Sequence, residues 1–125
     1  MGLVRKNLLV MGERGEKEID VLFDSIAIAS FIKEDIANSL ATFINLPVPK
    51  EFKLADNESK IKIKNIVHLD FKINGFTLWD EIFVAKTLPV DMIIGAKTMQ
   101  AWKMKLDFEK EDIIIDPKAV ELLLI

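Results

Sequence analysis

The chain has 125 residues, half of them hydrophobic and 30% charged, which predicts one packed domain over residues 1–125 and excludes an intrinsically disordered chain. No cysteine and a single histidine exclude a thiolate or histidine-rich metal site, so we expect no metal or other cofactor, and the net charge of −3 argues against a nucleic-acid partner. The apolar runs fall short of the roughly 20 residues that cross a bilayer and the N-terminus lacks a signal-peptide core, which predicts a cytoplasmic protein without a membrane partner.

The first 24 residues predict a β-hairpin. Apolar residues dominate positions 3–11, turn-forming residues occupy 12–15, and an apolar run resumes at 18–23. This pattern is typical of two antiparallel strands joined by a tight turn. It places Asp24 at the far end of the second strand.

Helical spacing predicts the longer helix near Lys33–Phe43. Apolar residues recur at that spacing at Ile32, Ile36, Leu40, Phe43 and Ile44. We expect Ser30 or a neighbour to cap this helix, and Pro47 and Pro49 to end it.

Two further hairpins are predicted in the middle of the chain. The first turns at Asp56-Asn57, and its second strand alternates lysine with isoleucine over residues 60–64, which indicates either a basic binding stripe or, as we prefer, the solvent face of a strand. The second turns at Asn74-Gly75, a strong two-residue turn signal between Val67–Ile73 and Phe76–Ala85.

The C-terminal third begins with an apolar strand, Leu88–Gly95, that ends in glycine. A short helix near Lys97–Trp102 and a last hairpin turning at Glu109–Asp112 follow. The chain then closes on the apolar run Val120–Ile125.

An apolar strand that enters Asp24-Ser25, with Ala27 close behind and Ile93-Ile94-Gly95 much later, resembles the retropepsin-like aspartic proteases. The active-site sequence of that family is Asp-Ser/Thr-Gly-Ala. Here Ile26 stands at the glycine position, and Ile28 stands where a small or polar residue is usual. The resemblance covers nearly the whole chain and implies a mainly β fold, a closed antiparallel barrel with one longer and one short helix.

The resemblance also implies a site and an activity, hydrolysis of peptide bonds in an extended peptide or protein. Asp24 would be catalytic, and because the chain offers only one Asp in this context, a homodimer would have to supply the second carboxylate. The other site positions that it implies are Ser25 and Ala27 in the loop, Ala55, Asp56 and Asn57 in a flap over the substrate, and the supporting run Ile93, Ile94 and Gly95.

Ile26 and Ile28 leave the function open between alternatives. A peptidase with weak or no activity is expected if the two side chains crowd the site. An inactive dimer that binds peptides or supports assembly is the alternative, and an unrelated small β-barrel that binds a small molecule is a third. In either dimer, the run Val120–Ile125 is predicted at the interface, with an intramolecular edge strand as its rival.

Overall fold

The computed structural model describes residues 3–54 and 58–121. Within them the elements follow in the order β1 (Leu3–Gly12), β2 (Gly15–Asp24), β3 (Phe31–Lys33), α1 (Glu34–Leu40), β4 (Ile44–Lys53), β5 (Lys60–Ile73), β6 (Phe76–Ala85), β7 (Met92–Ile94), α2 (Ala96–Ala101), β8 (Lys105–Asp107), β9 (Asp112–Ile114) and a 3₁₀ turn at Pro117–Val120. No helix among these is long and apolar enough to cross a membrane.

Six strands form a closed barrel in the order β1-β2-β7-β3-β6-β5, and β4 extends the sheet beside β5. Pairing of Val10 with Phe71 and of Met11 with Asp70 closes the ring between β1 and β5. The predicted closed, mainly β barrel is confirmed. Most of its pairings are antiparallel, while β2–β7 and β3–β6 run parallel.

Side chains at alternate strand positions fill the interior of the barrel. In β2, Ile19, Val21 and Phe23 are buried, whereas the residues between them are partly exposed. Successive side chains of a strand point to opposite faces, and only one face meets the core. The period of two therefore determines which side chains point inward. Asp24 therefore emerges at the barrel rim, next in line after the buried Phe23.

A second, smaller apolar cluster lies beside the main core. Its buried members are Ala29, Phe31, Ile63 and Ala85, and Leu46, Phe52, Ile61, Phe83 and Leu88 pack against them. It joins the segment after Asp24 to the β4–β5 hairpin. That position makes it the floor of the site described below.

The predicted longer helix is wrong in extent and in its cap. Helix α1 spans only Glu34–Leu40, nearly the same length as α2, because Ile32 belongs to β3 and is fully buried there. The N-cap is Lys33, without a side-chain cap bond, and Ser30 lies elsewhere. Extended backbone at Ala41 ends the helix, and β4 runs through Pro47 and Pro49, where its pairing with β5 shifts register.

The strands of the predicted hairpins are present, although the predicted Asp56-Asn57 turn lies outside the described residues and Asp112, predicted in the last turn, begins β9. The residues assigned to two successive strands are one 14-residue strand, β5, which pairs with β4 at one end and with β6 at the other. The Asn74-Gly75 turn joins β5 to β6, and both residues have positive φ, 50° and 87°. Asparagine and glycine tolerate that conformation best, which is why this turn was readable from sequence.

The last hairpin, β8–β9, forms its own two-stranded sheet against β1. Ile113 and Ile115 are buried in the main core. Polar contacts anchor its rim: the Lys6 ammonium pairs with the Asp112 carboxylate, and the Asn74 amide donates to Asp112 Oδ1 at 3.2 Å and to the Ile113 carbonyl at 2.6 Å.

Candidate active site

Asp24 is the last residue of β2, and its carboxylate organises the turn that follows. Its Oδ1 accepts the backbone N–H of Ile26 at 2.9 Å and that of Ala27 at 3.4 Å. These bonds hold the carboxylate back over its own loop, an Asx-type arrangement. The side chain is half-buried, so it remains accessible from one side.

The segment after β7 clamps this loop from behind. Ala96 N–H donates to the Ala27 carbonyl at 2.7 Å, and Lys97 N–H donates to the Ile28 carbonyl at 3.1 Å. Gly95 leaves no room for a side chain: a Cβ there would overlap the Ala29 carbonyl and lie 2.7 Å from that of Ala27. Glycine is needed here for close backbone approach, since its φ of −99° is open to any residue.

A buried chain of hydrogen bonds fixes the end of the loop. Gly95 N–H donates to Ser30 Oγ at 3.0 Å, Ser30 and Thr98 share a bond of 2.6 Å, and Thr98 Oγ1 donates to Asp80 Oδ2 at 2.7 Å. Because a threonine hydroxyl has one proton, already given to Asp80, Ser30 must be the donor to Thr98. The chain thus runs in one direction, from the Gly95 amide to the Asp80 carboxylate.

An apolar groove opens beside Asp24, with a volume of about 330 Å³. Its lining residues are Asp24, Ile26, Ala27, Ile28, Phe31, Phe52, Lys53, Leu54, Ile61, Leu88 and Ile93. Most of these side chains are aliphatic or aromatic. A carboxylate at one wall of an apolar groove is the arrangement expected of a site that binds and can act on an apolar ligand.

Ile26 and Ile28 do not fill this groove within one chain. Their exposed fractions are 69% and 61%, among the largest for apolar residues of the described ranges. Nor does Ile26 occupy left-handed backbone, since the non-glycine residues with positive φ in those ranges are Asn74, Lys103 and Glu111. The loop therefore accepts isoleucine at position 26 without backbone strain, and the side chains of Ile26 and Ile28 both lie at the rim of the groove.

The remaining predicted loop residues divide between two surfaces. Ala27 and Ile93 line the groove with Asp24, while Ile94 is fully buried and pairs with Phe23. Ser25 faces a different hollow of about 370 Å³, bounded by α2 and the start of the last hairpin. Its lining includes Met99, Met104 and the half-exposed Phe108.

The predicted flap residues Ala55, Asp56 and Asn57 lie outside the described residues. The hairpin that carries them is in place: Leu54 N–H donates to the Ser59 carbonyl at 2.9 Å, and Lys53 pairs with Lys60. Leu54 lines the groove, so the described part of this hairpin borders the site.

Asp91 and Asp20, two other acidic residues, have structural partners. Asp91 accepts the Asp20 N–H at 3.0 Å and lies 3.8 Å from the Lys33 ammonium. A hydrogen bond from Arg5 lowers the pKa of Asp20. Asp24 is the one carboxylate among the groove's described lining residues.

His68 lies away from the groove on the outer face of β5. Its ring nitrogens are each 3.1 Å from a carboxylate oxygen, of Glu81 and of Asp70. The hydrogen bond with Glu81 is the main cause of its raised pKa. Within the described residues no three His, Asp or Glu side chains converge as metal ligands would.

Sequence reasoning missed the hydrogen-bonded chain and the groove floor. Ser30 was assigned to a helix cap, and Thr98 and Asp80 were not singled out. A polar residue between Ala29 and Phe31, in an otherwise apolar segment, was the available signal for Ser30. Nothing local could show that Phe31, Phe52 and Ile61 would meet beside Asp24.

Comparisons with known proteins bear on the fold. No protein-family model and no curated protein matches the sequence. Among solved structures, the retroviral protease-like domain of Ddi1 from Leishmania major matches with a TM-score of 0.66 and 15% identity, over 94% of this chain and 90% of that one. EIAV protease, solved with the inhibitor HBY-793, matches with a TM-score of 0.64 and 17% identity, over 86% and 94%. The chain has a retropepsin-like fold.

Proposed function

We propose that the protein is an aspartic-type endopeptidase that works as a homodimer, and that the chain with Ile26 and Ile28 has weak activity. The observation that carries the proposal is the placement of Asp24: a carboxylate at the end of a barrel strand, held by a clamped loop, at the wall of an apolar groove. The retropepsin-like fold agrees with this chemistry, since both solved relatives are proteases or protease-like domains by name.

The chemistry requires two carboxylates within a few ångströms of each other. Like charges that close cannot both ionise, so the pair retains one proton. The ionised member takes a proton from water, while the protonated member hydrogen-bonds to the scissile carbonyl. A two-fold axis beside Asp24 would bring the second carboxylate from another copy.

Weak activity follows from the position of the two isoleucines. In a dimer that brings two Asp24 carboxylates together, Ile26 is only two residues away in the same turn and must also approach the axis. Its side chain and that of Ile28 are exposed in the single chain, so both are free to occupy space that a peptide backbone and the attacking water need. Burial there would stabilise the dimer by ~1.5–3 kcal/mol per side chain.

The second candidate function is a dimer that binds peptides or supports assembly without cleaving them. The same exposure of Ile26 and Ile28 favours it, because exposed apolar side chains around a groove are typical of contact surfaces. An assay of cleavage distinguishes the two candidate functions, because both of them involve binding of a peptide.

The direct test is proteolysis of an unstructured protein substrate from pH 3 to 7, with and without a pepstatin-type inhibitor. We expect slow, inhibitor-sensitive cleavage that Asp24→Asn abolishes. Cleavage that persists in Asp24→Asn would come from a contaminant or another mechanism. No cleavage at any pH, by this chain or by the variant described next, would leave the binding module as the function.

The variant Ile26→Gly/Ile28→Ser tests the reason for weak activity. We expect cleavage to rise tenfold or more and the melting temperature to fall by several degrees, because the site opens while apolar contacts are lost. Ile44→Gly/Val48→Ser is the matched control, since it removes two comparably exposed apolar side chains from the edge strand β4. Adding Asp24→Asn to the opened site should abolish the gain. Equal cleavage by the opened variant and its parent would show that the isoleucines do not limit activity.

The homodimer is testable by sedimentation. The predicted interface run Val120–Ile125 includes Val120, which packs against the main core, and Leu122–Ile125, which lie outside the described residues. Truncation after Glu121 therefore removes the apolar end and spares the core contact. We expect the full chain to sediment as a dimer and the truncated chain to shift towards the monomer. A truncated chain that remains dimeric would place the interface elsewhere.

A further inference from the structure

His68, the one histidine of the chain, lies between two carboxylates on the outer face of the sheet. Its Nδ1 is 3.1 Å from Glu81 Oε1 on β6, and its Nε2 is 3.1 Å from Asp70 Oδ1 on β5. A neutral imidazole carries one N–H, so it can donate to only one of these oxygens and turns a lone pair towards the other. The imidazolium carries two N–H groups and fits both. The geometry is therefore that of a protonated histidine that joins β5 to β6.

Trp79 lies beside the His68 ring. The two ring centroids are 5.7 Å apart and the ring planes are tilted by 31°, so the rings are nearer to stacked than to edge-on. A cation within about 6 Å of a tryptophan ring is attracted by the negative face of that ring. Loss of the charge on His68 would remove this attraction.

The end of helix α2 is attached to the same segment of β6. Trp102 packs edge to face on Trp79, with centroids 5.9 Å apart, and its Nε1–H donates to the Trp79 carbonyl at 3.0 Å. Asp80, the next residue of β6, accepts the hydrogen bond from Thr98 Oγ1 at 2.7 Å. The segment 79–81 therefore contacts His68 on one side and α2 on the other. Helix α2 is also the element whose first residues hold the loop beside the groove.

Other charges on this face of the sheet are too far away to replace the two carboxylates. Lys64 and Lys72 lie four residues from His68 on the same face of β5, about 13 Å along the strand. Exposed charges at that distance are largely screened at physiological salt, where the screening length is about 8 Å. The other elements that border this face bring uncharged residues to it: Met11 of β1, opposite Asp70, Ile44 of β4, opposite Ile66, and Trp102 of α2.

We propose that His68 with Asp70, Glu81 and Trp79 forms a pH-sensitive clasp, which holds the end of α2 when His68 is protonated and loosens it when His68 loses its proton. The inference goes beyond the proposed function, because it concerns the attachment of α2 and not cleavage. It makes the helix behind the groove more firmly held in mild acid than in mild alkali.

The titration of His68 tests the geometry directly, because a single histidine gives one set of ring signals in an NMR spectrum. The hydrogen bond with Glu81 is the largest cause of its pKa being raised above 6.5, and Asp70 adds to it. We expect this raised pKa in the full chain, a lower one in Glu81→Gln and a smaller decrease in Asp70→Asn. The indole signals of Trp79 should shift with the same midpoint. A parent pKa at or below 6.5, or one that Glu81→Gln leaves unchanged, would overturn the inference.

Thermal unfolding tests the contribution of the clasp to stability. A histidine whose pKa is raised in the folded state stabilises the fold below 6.5, and this contribution is lost as the pH rises through the folded value. We therefore expect the parent's melting temperature to fall between pH 5.5 and 8.5, and that of His68→Gln to fall less. Lys64→Gln is the matched control, since it introduces the same residue at another exposed position of β5 and should keep the parent's fall. Equal falls in the parent and His68→Gln would contradict the proposal.

Hydrogen exchange of the Trp102 indole N–H measures the attachment of α2 itself. At pH 5.5 we expect exchange about two- to fivefold slower in the parent than in His68→Gln, the range for an exposed charge contact, and equal rates at pH 8.5. Comparison of two proteins at one pH removes the intrinsic pH dependence of exchange. Equal rates at both pH values would overturn the inference even if His68 titrates as expected, because its charge would not affect α2. None of these measurements involves cleavage, so absence of peptidase activity would count against the proposed function alone.

Discussion

The loop after Asp24 and the hairpin β8–β9 are both attached to the barrel, but by different kinds of contact. Backbone hydrogen bonds from Ala96 and Lys97 and the buried Ser30–Thr98 chain hold the loop. The hairpin is attached to the barrel by side-chain contacts as well, chiefly those of Lys6 and Asn74 with Asp112. Backbone bonds and buried hydroxyls do not change with moderate pH or salt, whereas an exposed ion pair does.

The two attachments therefore differ in their sensitivity to acid and salt. The backbone hydrogen bonds from Ala96 and Lys97 contain no titratable group, so moderate acid leaves them intact. The ion pair of the hairpin is weakened by both, so acid and salt should loosen the hairpin before they disturb the loop.

The strongest test of the loop's attachment is Gly95→Ala. The added methyl overlaps the backbone oxygen of Ala29 and approaches that of Ala27, and neither can move without shifting the loop. We expect a loss of about 3 kcal/mol in the free energy of unfolding, measured with guanidinium.

Gly15→Ala is the matched control, because its nearest neighbour would be the Ser39 oxygen at 3.5 Å, an ordinary contact. Gly15 also lacks a positive φ. Equal stability of the two variants would mean that the loop is not tightly apposed to Gly95.

A medium effect is expected for Thr98→Val, which keeps the shape and removes the hydroxyl. The Ser30 proton then loses its acceptor in a buried position, which costs about 1–3 kcal/mol. Thr77→Val, at an exposed position of β6, should change the unfolding free energy little. The double variant Ser30→Ala/Thr98→Val should lose less than the sum of the two single changes, because both remove the same bond. Additive losses would show that the two hydroxyls do not act together.

The smallest expected effect is on the acid stability conferred by the β8–β9 hairpin. The hydrogen bond from Lys6, with those from the Ile113 and Asn74 nitrogens, lowers the pKa of Asp112 to about 2. A carboxyl whose pKa is lower in the folded state stabilises the fold above its unfolded value of 3.8, and this contribution is lost as the pH falls towards 2. We therefore expect Asp112→Asn to flatten the decline in melting temperature between pH 4 and 2.

Lys105→Gln, an exposed charge change in the same hairpin, should keep the parent's decline, since lysine does not titrate in that interval. Hydrogen exchange gives a test at single residues: between pH 4 and 2 the hairpin amides should lose protection before those of Ala96 and Lys97, which donate to backbone carbonyls of the loop. Simultaneous loss in both regions would remove the distinction between the two attachments.

Parts of this protein that depend on near neighbours could be predicted from the sequence. Alternation in β2 placed Asp24 at a strand end, and Asn74-Gly75 fixed a turn that needs positive φ. Each signal lies within a few residues of its effect, because strand alternation and turn conformation are local properties of the backbone.

Which distant segments meet depends on the tertiary structure. Ile32 fits a helical period and a buried strand equally well, and the parallel pairing of β3 with β6 selected the strand. Ser30 could cap a helix or bond to Thr98, and burial beside Gly95 selected the bond. The groove itself joins residues from 24 to 93, whose meeting depends on the closure of the barrel. Long-range pairing overrides local preference because burial of whole strands outweighs the small free energies of caps and propensities.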